Sequence, residues 1–187
     1  MTQIAGILLA GGRSRRFGTK NKLTECVSDG EAIGLKAARA LREVVSELLV
    51  VVAPEEESTT KLFAGDFAIS SCPTSHLGMG HTIAHGVRQM SDADGWLIGL
   101  ADMPFIEIST IEQVRDAIGA DTISRPKLGE RAGHPVGFGR AYYDELIALV
   151  GDVGAQAIIE KHKDCMVFVP TDDTGVVVDI DRPQDLA

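Results

Sequence analysis

The sequence predicts an α/β protein built as a three-layer α/β/α sandwich with a mostly parallel sheet. Short, nearly continuous apolar runs, typical of strands buried on both faces, alternate along the chain with segments of helical periodicity. No internal repeat, low-complexity segment or linker rich in Pro, Gly or Ser divides the 187 residues. A chain of this length can bury a substantial core, so residues 1–187 are expected to form one domain.

The strands are predicted where apolar residues cluster without helical spacing. In chain order they are Ile4–Ala10, Glu47–Ala53, Phe67–Ser71, Trp96–Ala101, Thr122–Ser124, Pro135–Phe138, Cys165–Val169 and Val176–Asp179. The first helix is predicted over Glu31–Val45, where apolar residues such as Ile33 and Ala37 recur on one helical face. Further helices are predicted at Ser58–Ala64, His81–Met90, Ser109–Ile118, Tyr142–Val150 and Val153–Lys161, with a last turn at Pro183–Ala187.

Composition and charge exclude several classes of partner. The formal net charge is −9, whereas binding to nucleic acid needs a broad basic surface. No apolar run could span a bilayer, and the basic residues follow the first apolar stretch, so neither a membrane nor a signal peptide is expected. The cysteines, Cys26, Cys72 and Cys165, lie too far apart to suggest a disulfide framework or a zinc site. A reducing cytoplasm is the expected location.

One loop departs from this acidic composition. Of the chain's 18 Lys and Arg residues, it holds Arg13, Arg15, Arg16, Lys20 and Lys22. Gly11 and Gly12 open the loop but fit neither the GxxxxGK[ST] nor the GxGxxG spacing. Glycines allow backbone N–H groups to approach a ligand, and the basic side chains supply charge-assisted hydrogen bonds, so the loop favours a small polyanion. Ligands bind beyond the carboxyl ends of strands in such sheets, so this loop and Asp102 are expected to share one site.

Six motifs follow one another along the chain. They are Leu9–Gly18 (LAGGRSRRFG) followed by Lys22, Ser75–Val87 (SHLGMGHTIAHGV), Leu100–Pro104 (LADMP), Gly133–Pro135 (GHP), Gly151–Ala155 (GDVGA) and Asp179–Leu186 (DIDRPQDL). In this order they resemble the signature of the MobA/MocA-like nucleotidyltransferases, with Thr82 at the position of a family serine. The resemblance is closest to the MocA branch, the molybdenum cofactor cytidylyltransferases. It implies the Rossmann-like nucleotide-diphospho-sugar transferase fold, which is GT-A-like.

The resemblance also implies a reaction and a set of site residues. Such enzymes transfer a nucleoside monophosphate from an NTP to a phosphorylated acceptor such as molybdopterin and release pyrophosphate, with Mg²⁺ as cofactor. The implied catalytic residues are Lys22, Arg16 and Asp102; the nucleotide-binding residues are Leu9, Ala10, Gly11, Gly12, Arg16, Lys22, Gly78 and Thr82; the metal ligands are Asp102 and Asp179; and the acceptor-binding residues are His134 and Asp152. CTP is favoured over GTP, although Gly11 makes the LAGG motif typical of the guanylyl-transferring branch.

The residue types suit this chemistry, since hard divalent cations prefer carboxylate oxygens. In an extended segment Asp179 and Asp181 would point to the same side and Ile180 to the other, so Asp181 is an alternative second ligand. His81 and His85 have a spacing that can bind zinc, but no third ligand follows at a useful distance.

Most of these residues also have a purely structural interpretation. Paired glycines can mark only a tight turn, Asp102 can cap a loop and Asp152 can cap a helix. His134, flanked by Gly and Pro, can serve the turn alone.

Two other functions remain open on the sequence. Gln156 stands where the resemblance leads one to expect Arg, which leaves a sugar phosphate or another alcohol phosphate as alternative acceptor. The second is a non-catalytic nucleotide-binding chaperone of the same fold that delivers a cofactor. A molybdoenzyme or its chaperone is a further candidate partner.

Overall fold

An eight-stranded sheet is the central feature of the computed structural model, which describes residues 2–12 and 21–186. The strands are β1 (Ile4–Ala10), β2 (Glu47–Val52), β3 (Ala68–Ser71), β4 (Gly95–Leu100), β5 (Ile123–Leu128), β6 (Arg131–Ala132), β7 (Val136–Gly139) and β8 (Met166–Pro170). Their order is β3-β2-β1-β4-β7-β5-β6, and β8 also pairs with β5. Strands β1 to β4 are mutually parallel, β7 runs antiparallel to both β4 and β5, and β8 is parallel to β5. The sheet is therefore mostly parallel, as predicted.

Helices cover both faces of this sheet. They are α1 (Ile33–Val44), α2 (Glu57–Phe63), α3 (Met79–Gln89), α4 (Ile108–Asp116), α5 (Tyr143–Ile147) and α6 (Gln156–Lys161). Side chains of α1, α2 and α4 belong to one buried apolar cluster, and side chains of α3, α5 and α6 belong to a second. Neighbouring β1 residues divide between the clusters, with Leu8 in the first and Ile7 in the second, because successive strand side chains alternate. The predicted three-layer architecture is confirmed.

The segment Val176–Asp179, predicted as a strand, is instead a 3₁₀ turn over Thr174–Val177 followed by extended chain. The Asp173 carboxylate caps this turn by accepting a hydrogen bond from the Gly175 N–H at 2.8 Å. Gly175 also packs against the Phe105 backbone so closely that a β-carbon would lie 2.2 Å from its carbonyl oxygen. The local cap and this close approach outweigh the strand preference of the valines.

Strand β5 is longer than the predicted Thr122–Ser124, and its hairpin with β6 was not predicted. The sequence RPKL that completes β5 contains a proline and two basic residues, so it lacks the apolar run on which the prediction relied. Gly129, with φ of +56°, forms the tight connection to β6.

Among the described residues, no helix is both long and apolar enough to cross a membrane.

Candidate active site

The carboxyl ends of β1 and β4 bring the glycine motif and Asp102 together. Leu9 lies opposite Leu100 in the parallel register, and the Ala101 N–H donates to the Leu9 carbonyl at 3.1 Å. The next residues of both strands open into a pocket of about 390 Å³, which we term the first pocket. It is lined by Leu9, Ala10, Gly11, Gly12, Lys22, Leu23, Ser75, His76, Gly78, Met79, Thr82, Leu100, Ala101, Asp102 and Asp152.

Lys22 lies at the acidic side of the first pocket. Its Nζ donates to Asp102 Oδ2 at 2.6 Å, to the Ile180 carbonyl at 3.0 Å and to Asp181 Oδ1 at 3.2 Å. Burial alone lowers the pKa of Lys22, but the ion pairs with Asp102 and Asp181 outweigh it and the pKa is raised. The ammonium is therefore positively charged at neutral pH and is held beside the aspartates that were predicted to share its site.

A short turn positions Lys22. The 3₁₀ turn Lys22–Thr24 is capped by Asn21, whose Oδ1 accepts from the Leu23 N–H at 3.0 Å. The Asn21 amide also donates to Thr59 Oγ1 at 2.6 Å, which ties the turn to α2. Leu23 is buried in the core, so the lysine backbone is held on both sides.

Three carboxylates converge next to Lys22. Asp102, Asp179 and Asp181 each offer an oxygen, and these atoms lie within 4.8 Å of one another. Between the two later aspartates, Ile180 is fully buried and its N–H donates to the Asp102 carbonyl at 2.9 Å. The predicted alternation is therefore present: Ile180 points inward, while Asp179 and Asp181 both face Asp102. Such an oxygen set fits a hard divalent cation.

The amino-terminal end of α3 packs against the loop that carries Asp152. Gly78 has φ of +127°, and a β-carbon there would lie 2.4 Å from Asp152 Oδ1 and from the Gly151 backbone. The Gly80 N–H donates to the Gly151 carbonyl at 2.8 Å. Glycine at position 78 is thus required by the close approach as well as by the backbone conformation, and this contact brings Asp152 to the first pocket.

All predicted nucleotide-binding residues that the structure describes lie together. Leu9, Ala10, Gly11, Gly12, Lys22, Gly78 and Thr82 all line the first pocket. Arg16 lies outside the described residues, as do Arg13, Arg15 and Lys20. Asp152, predicted to bind the acceptor, lines the first pocket as well, whereas His134 lines a neighbouring one.

Ser75 is a pocket residue that the sequence analysis did not single out. Its Oγ is buried and has no hydrogen-bond partner among the described residues. A β-carbon at Gly11 would lie 3.5 Å from the Ser75 β-carbon and 3.6 Å from Thr82 Oγ1, so these three residues form one wall. The sequence signal was available, since this hydroxyl stands in the same SHLGMGHT motif as Gly78 and Thr82.

A second pocket of about 120 Å³ adjoins the first and shares Leu9, Met79 and Leu100 with it. Its polar lining residues are Arg125, His134 and Gln156. Burial, together with the nearby Arg125 charge, lowers the pKa of His134 from 6.5 to about 4, against an opposing effect of Asp179. The imidazole is therefore neutral at physiological pH.

Comparison with known families identifies the family of this chain. The profile described as "MobA-like NTP transferase domain" matches residues 6–165, which carry five of the six sequence motifs. The chain belongs to this family. The resemblance inferred from the motifs is thereby confirmed, and the nucleotidyltransferase fold expected from it is the fold observed.

A curated relative of this MobA-like chain is a "Probable molybdenum cofactor guanylyltransferase" of Haloferax mediterranei. The two are 30% identical over 129 residues, which cover 67% of this chain and 60% of the relative. The chain thus matches less than two thirds of that protein's length.

Solved structures of other proteins share the fold. A nucleotidyl transferase from Methanothermobacter thermautotroptrophicus (Mth528) superimposes with a TM-score of 0.86 at 17% identity, covering 99% of this chain and 94% of that one. The complex of Rv0371c with manganese from Mycobacterium tuberculosis H37Rv superimposes with a TM-score of 0.80 at 22% identity, covering 98% and 96%.

Proposed function

We propose that this MobA-like chain transfers a nucleoside monophosphate from an NTP to a phosphorylated small-molecule acceptor and releases pyrophosphate. The observation that carries the proposal is the contact of Lys22 with Asp102 at 2.6 Å beside the glycine-lined first pocket. A cation and a carboxylate cluster at one pocket edge can hold a triphosphate from two sides: the ammonium directly, the carboxylates through a divalent ion.

The reaction requires in-line displacement at the α-phosphorus. An oxygen of the acceptor's phosphate forms a bond to this phosphorus while the bond to the β-phosphate oxygen breaks, and the electron pair leaves with pyrophosphate. Negative charge spreads over the phosphoryl oxygens in the transition state, so positioning and charge neutralisation supply most of the rate enhancement.

Each part of the first pocket has a role in this proposal. Gly11 and Gly12 would contact the base and ribose end of the nucleotide through the backbone, with Gly78 and the Thr82 hydroxyl on the opposite wall. Lys22, with Arg16 from the preceding loop, would hold phosphate oxygens and stabilise the transition-state charge. Asp102, Asp179 and Asp181 would hold Mg²⁺, which neutralises phosphate charge when bound.

Two bases are supported by different observations. The motifs after the glycine loop resemble the cytidylyl-transferring branch, which favours CTP. GTP is favoured by Gly11, because alanine at this position would place a methyl group on the pocket wall formed with Ser75 and Thr82. The guanylyltransferase relative also favours GTP. For the acceptor we propose molybdopterin, on the strength of that same relative, with a molybdoenzyme or its chaperone as recipient of the product. The free thiols Cys26, Cys72 and Cys165 fit a reducing cytoplasm.

A sugar phosphate or another alcohol phosphate is the second candidate acceptor. Gln156 carries no charge, and its side-chain amide donates to Glu160 at 3.2 Å. The residue at this position therefore does not provide the cation that the family resemblance would lead one to expect for an acceptor phosphate.

Ligand-induced stabilisation provides a direct test. The four NTPs would each be added with and without Mg²⁺ while the melting temperature is measured, because a bound ligand stabilises the fold in proportion to how far it exceeds its Kd. We expect a Mg²⁺-dependent shift with CTP or GTP, followed by pyrophosphate release when molybdopterin or a sugar phosphate is added. Nucleotide binding without release on any acceptor would favour the cofactor chaperone, and no shift with any NTP would refute the proposal.

A further inference from the structure

The second pocket contains a positive charge that the protein leaves uncompensated. Arg125 Nε and Nη2 both donate to the Gly133 carbonyl, at 3.2 and 3.0 Å. No carboxylate of the described chain lies within ion-pair distance of this guanidinium, and its remaining N–H groups have no acceptor there. Arg125 is half-buried, and removing a cation from water is costly unless it is paired, so an arginine held in this way favours an anionic partner that binds in the pocket.

A second polar group of the same pocket lacks a partner as well. His134 Nδ1 is buried and makes no hydrogen bond to any described residue. Its backbone is nevertheless held firmly, since the His134 N–H donates to the Val176 carbonyl at 2.9 Å. The Gly133 N–H donates to the Pro126 carbonyl at 2.8 Å, so the segment that carries His134 also receives the Arg125 guanidinium. The ring and the guanidinium are thus fixed next to each other.

The surroundings of the pair are apolar. Ile83 of α3, Ile98 of β4 and Ile159 of α6 are among the side chains that line the second pocket, and no carboxylate is among its described lining residues. An apolar wall keeps water out and strengthens the attraction of a cation for an anion. The volume of about 120 Å³ lies well below the roughly 300–1,000 Å³ of pockets that enclose a whole ligand, so the second pocket fits the anionic end of one.

The position of the pair relative to the acidic cluster indicates which anion it fits. His134 precedes β7 at the level of Leu100, two residues before Asp102, and its charge state responds both to Arg125 and to Asp179. The second pocket also shares Leu100 with the first pocket, so a group held by Arg125 lies next to the pocket that Lys22 and Asp102 line. A phosphate bound there would be next to a nucleotide in the first pocket.

We infer that Arg125, together with His134, binds the terminal phosphate of the acceptor in the second pocket. The inference rests on the proposed function. Gln156 on α6 lines the same pocket but carries no charge, so the positive charge for the acceptor phosphate is assigned to Arg125 on β5. The expected acceptor is a phosphate monoester whose non-attacking oxygens accept hydrogen bonds from Arg125, while its attacking oxygen faces the acidic cluster. Acceptors without a phosphate are not expected to be used.

The test uses inorganic phosphate as the probe of the second pocket and the NTP as the probe of the first. Phosphate would be titrated into the full chain by calorimetry, with Arg125→Gln compared with Arg131→Gln. Arg131 is exposed, lies on the neighbouring β6 and does not line the pocket, so it controls for loss of one positive charge. We expect Arg125→Gln to weaken phosphate binding by about tenfold or more, as loss of a charged hydrogen bond does, and Arg131→Gln to leave it unchanged.

The NTP-induced shift in melting temperature separates the two proposals. Arg125→Gln should keep the shift of the wild-type chain, which also shows that the variant is folded. Equal phosphate affinity in the two variants, or no phosphate binding by the wild-type chain, would overturn the assignment of Arg125. Absence of the NTP shift in the wild-type chain would refute the nucleotidyltransferase while leaving the phosphate result to stand by itself. With an acceptor in hand, Arg125→Gln should raise the KM for that acceptor and not the KM for the NTP.

Discussion

Replacing His134 with Gln should remove a specific pH dependence of stability. Because the pKa of His134 falls from 6.5 to about 4 on folding, the unfolded chain binds more protons than the folded chain between these values. The free energy of unfolding therefore declines as the pH drops below 6.5 and stops declining near 4.

The size of the effect follows from the displaced pKa. Each pKa unit corresponds to about 1.4 kcal/mol, so the wild-type chain should lose about 2 kcal/mol between about pH 7 and about pH 5 through this residue. The loss should approach roughly 3 kcal/mol near pH 4. Other groups titrate in the same range, so the prediction concerns the difference between wild type and His134→Gln.

The assay is urea denaturation of both chains in metal-free buffer at the two pH values. His134→Gln should lower the free energy of unfolding at neutral pH but show a smaller decline toward acid, by about 2 kcal/mol. The control is His76→Gln, which replaces an exposed histidine outside the second pocket and so tests whether the smaller decline is specific to His134. A decline of equal size in His134→Gln and wild type would refute the assignment of a buried, neutral His134.

Three further predictions concern the first pocket. Lys22→Ala and Asp102→Ala should each lower turnover by about a hundredfold or more, since each removes a group that acts on transition-state charge. Lys36→Ala, which does not line the first pocket, should leave turnover unchanged. Normal pyrophosphate release by either pocket variant would exclude a catalytic role of that residue. Gly78→Ala should cost roughly 2 kcal/mol or more in urea denaturation, because its β-carbon would meet Gly151 and Asp152. Gly65→Ala has a positive φ but free space around it, and equal losses for the two would exclude the clash as the cause. Asn21→Ala should lower kcat roughly tenfold with little change in the KM for NTP, because it loosens the turn that positions Lys22; an increase in KM alone would contradict that positioning role.

Much of the fold could be predicted because burial in a parallel sheet leaves a local signature. Strand β1 is buried along its whole length and reads as an unbroken apolar run, and α1 repeats its apolar residues at helical spacing. The same signature predicted the edge of the sheet at which the proposed site lies, since the carboxyl ends of parallel strands meet at one edge and Gly11 and Asp102 directly follow such ends. The motifs added Lys22, whose contact with Asp102 was expected from them.

Other features depend on contacts between distant residues and could not be predicted. The sequence left Asp179 and Asp181 as alternatives, and the structure brings both to Asp102 because the Ile180 N–H bonds to the Asp102 carbonyl. No sequence pattern marked Arg125 as a binding residue, because it stands in the RPKL stretch, where the apolar pattern of the strand ends.

The sequence by itself determined the layer architecture, because hydrophobic periodicity reports burial residue by residue. It also determined the edge of the sheet at which the proposed chemistry lies, because the ends of the predicted strands mark that edge. Only the tertiary structure decided which charges meet. The partners of Lys22 lie 80 and 159 positions further along the chain, and the Arg125 guanidinium is held by the carbonyl of Gly133, the residue before His134. Such pairings are set by hydrogen bonds between segments that no local pattern connects.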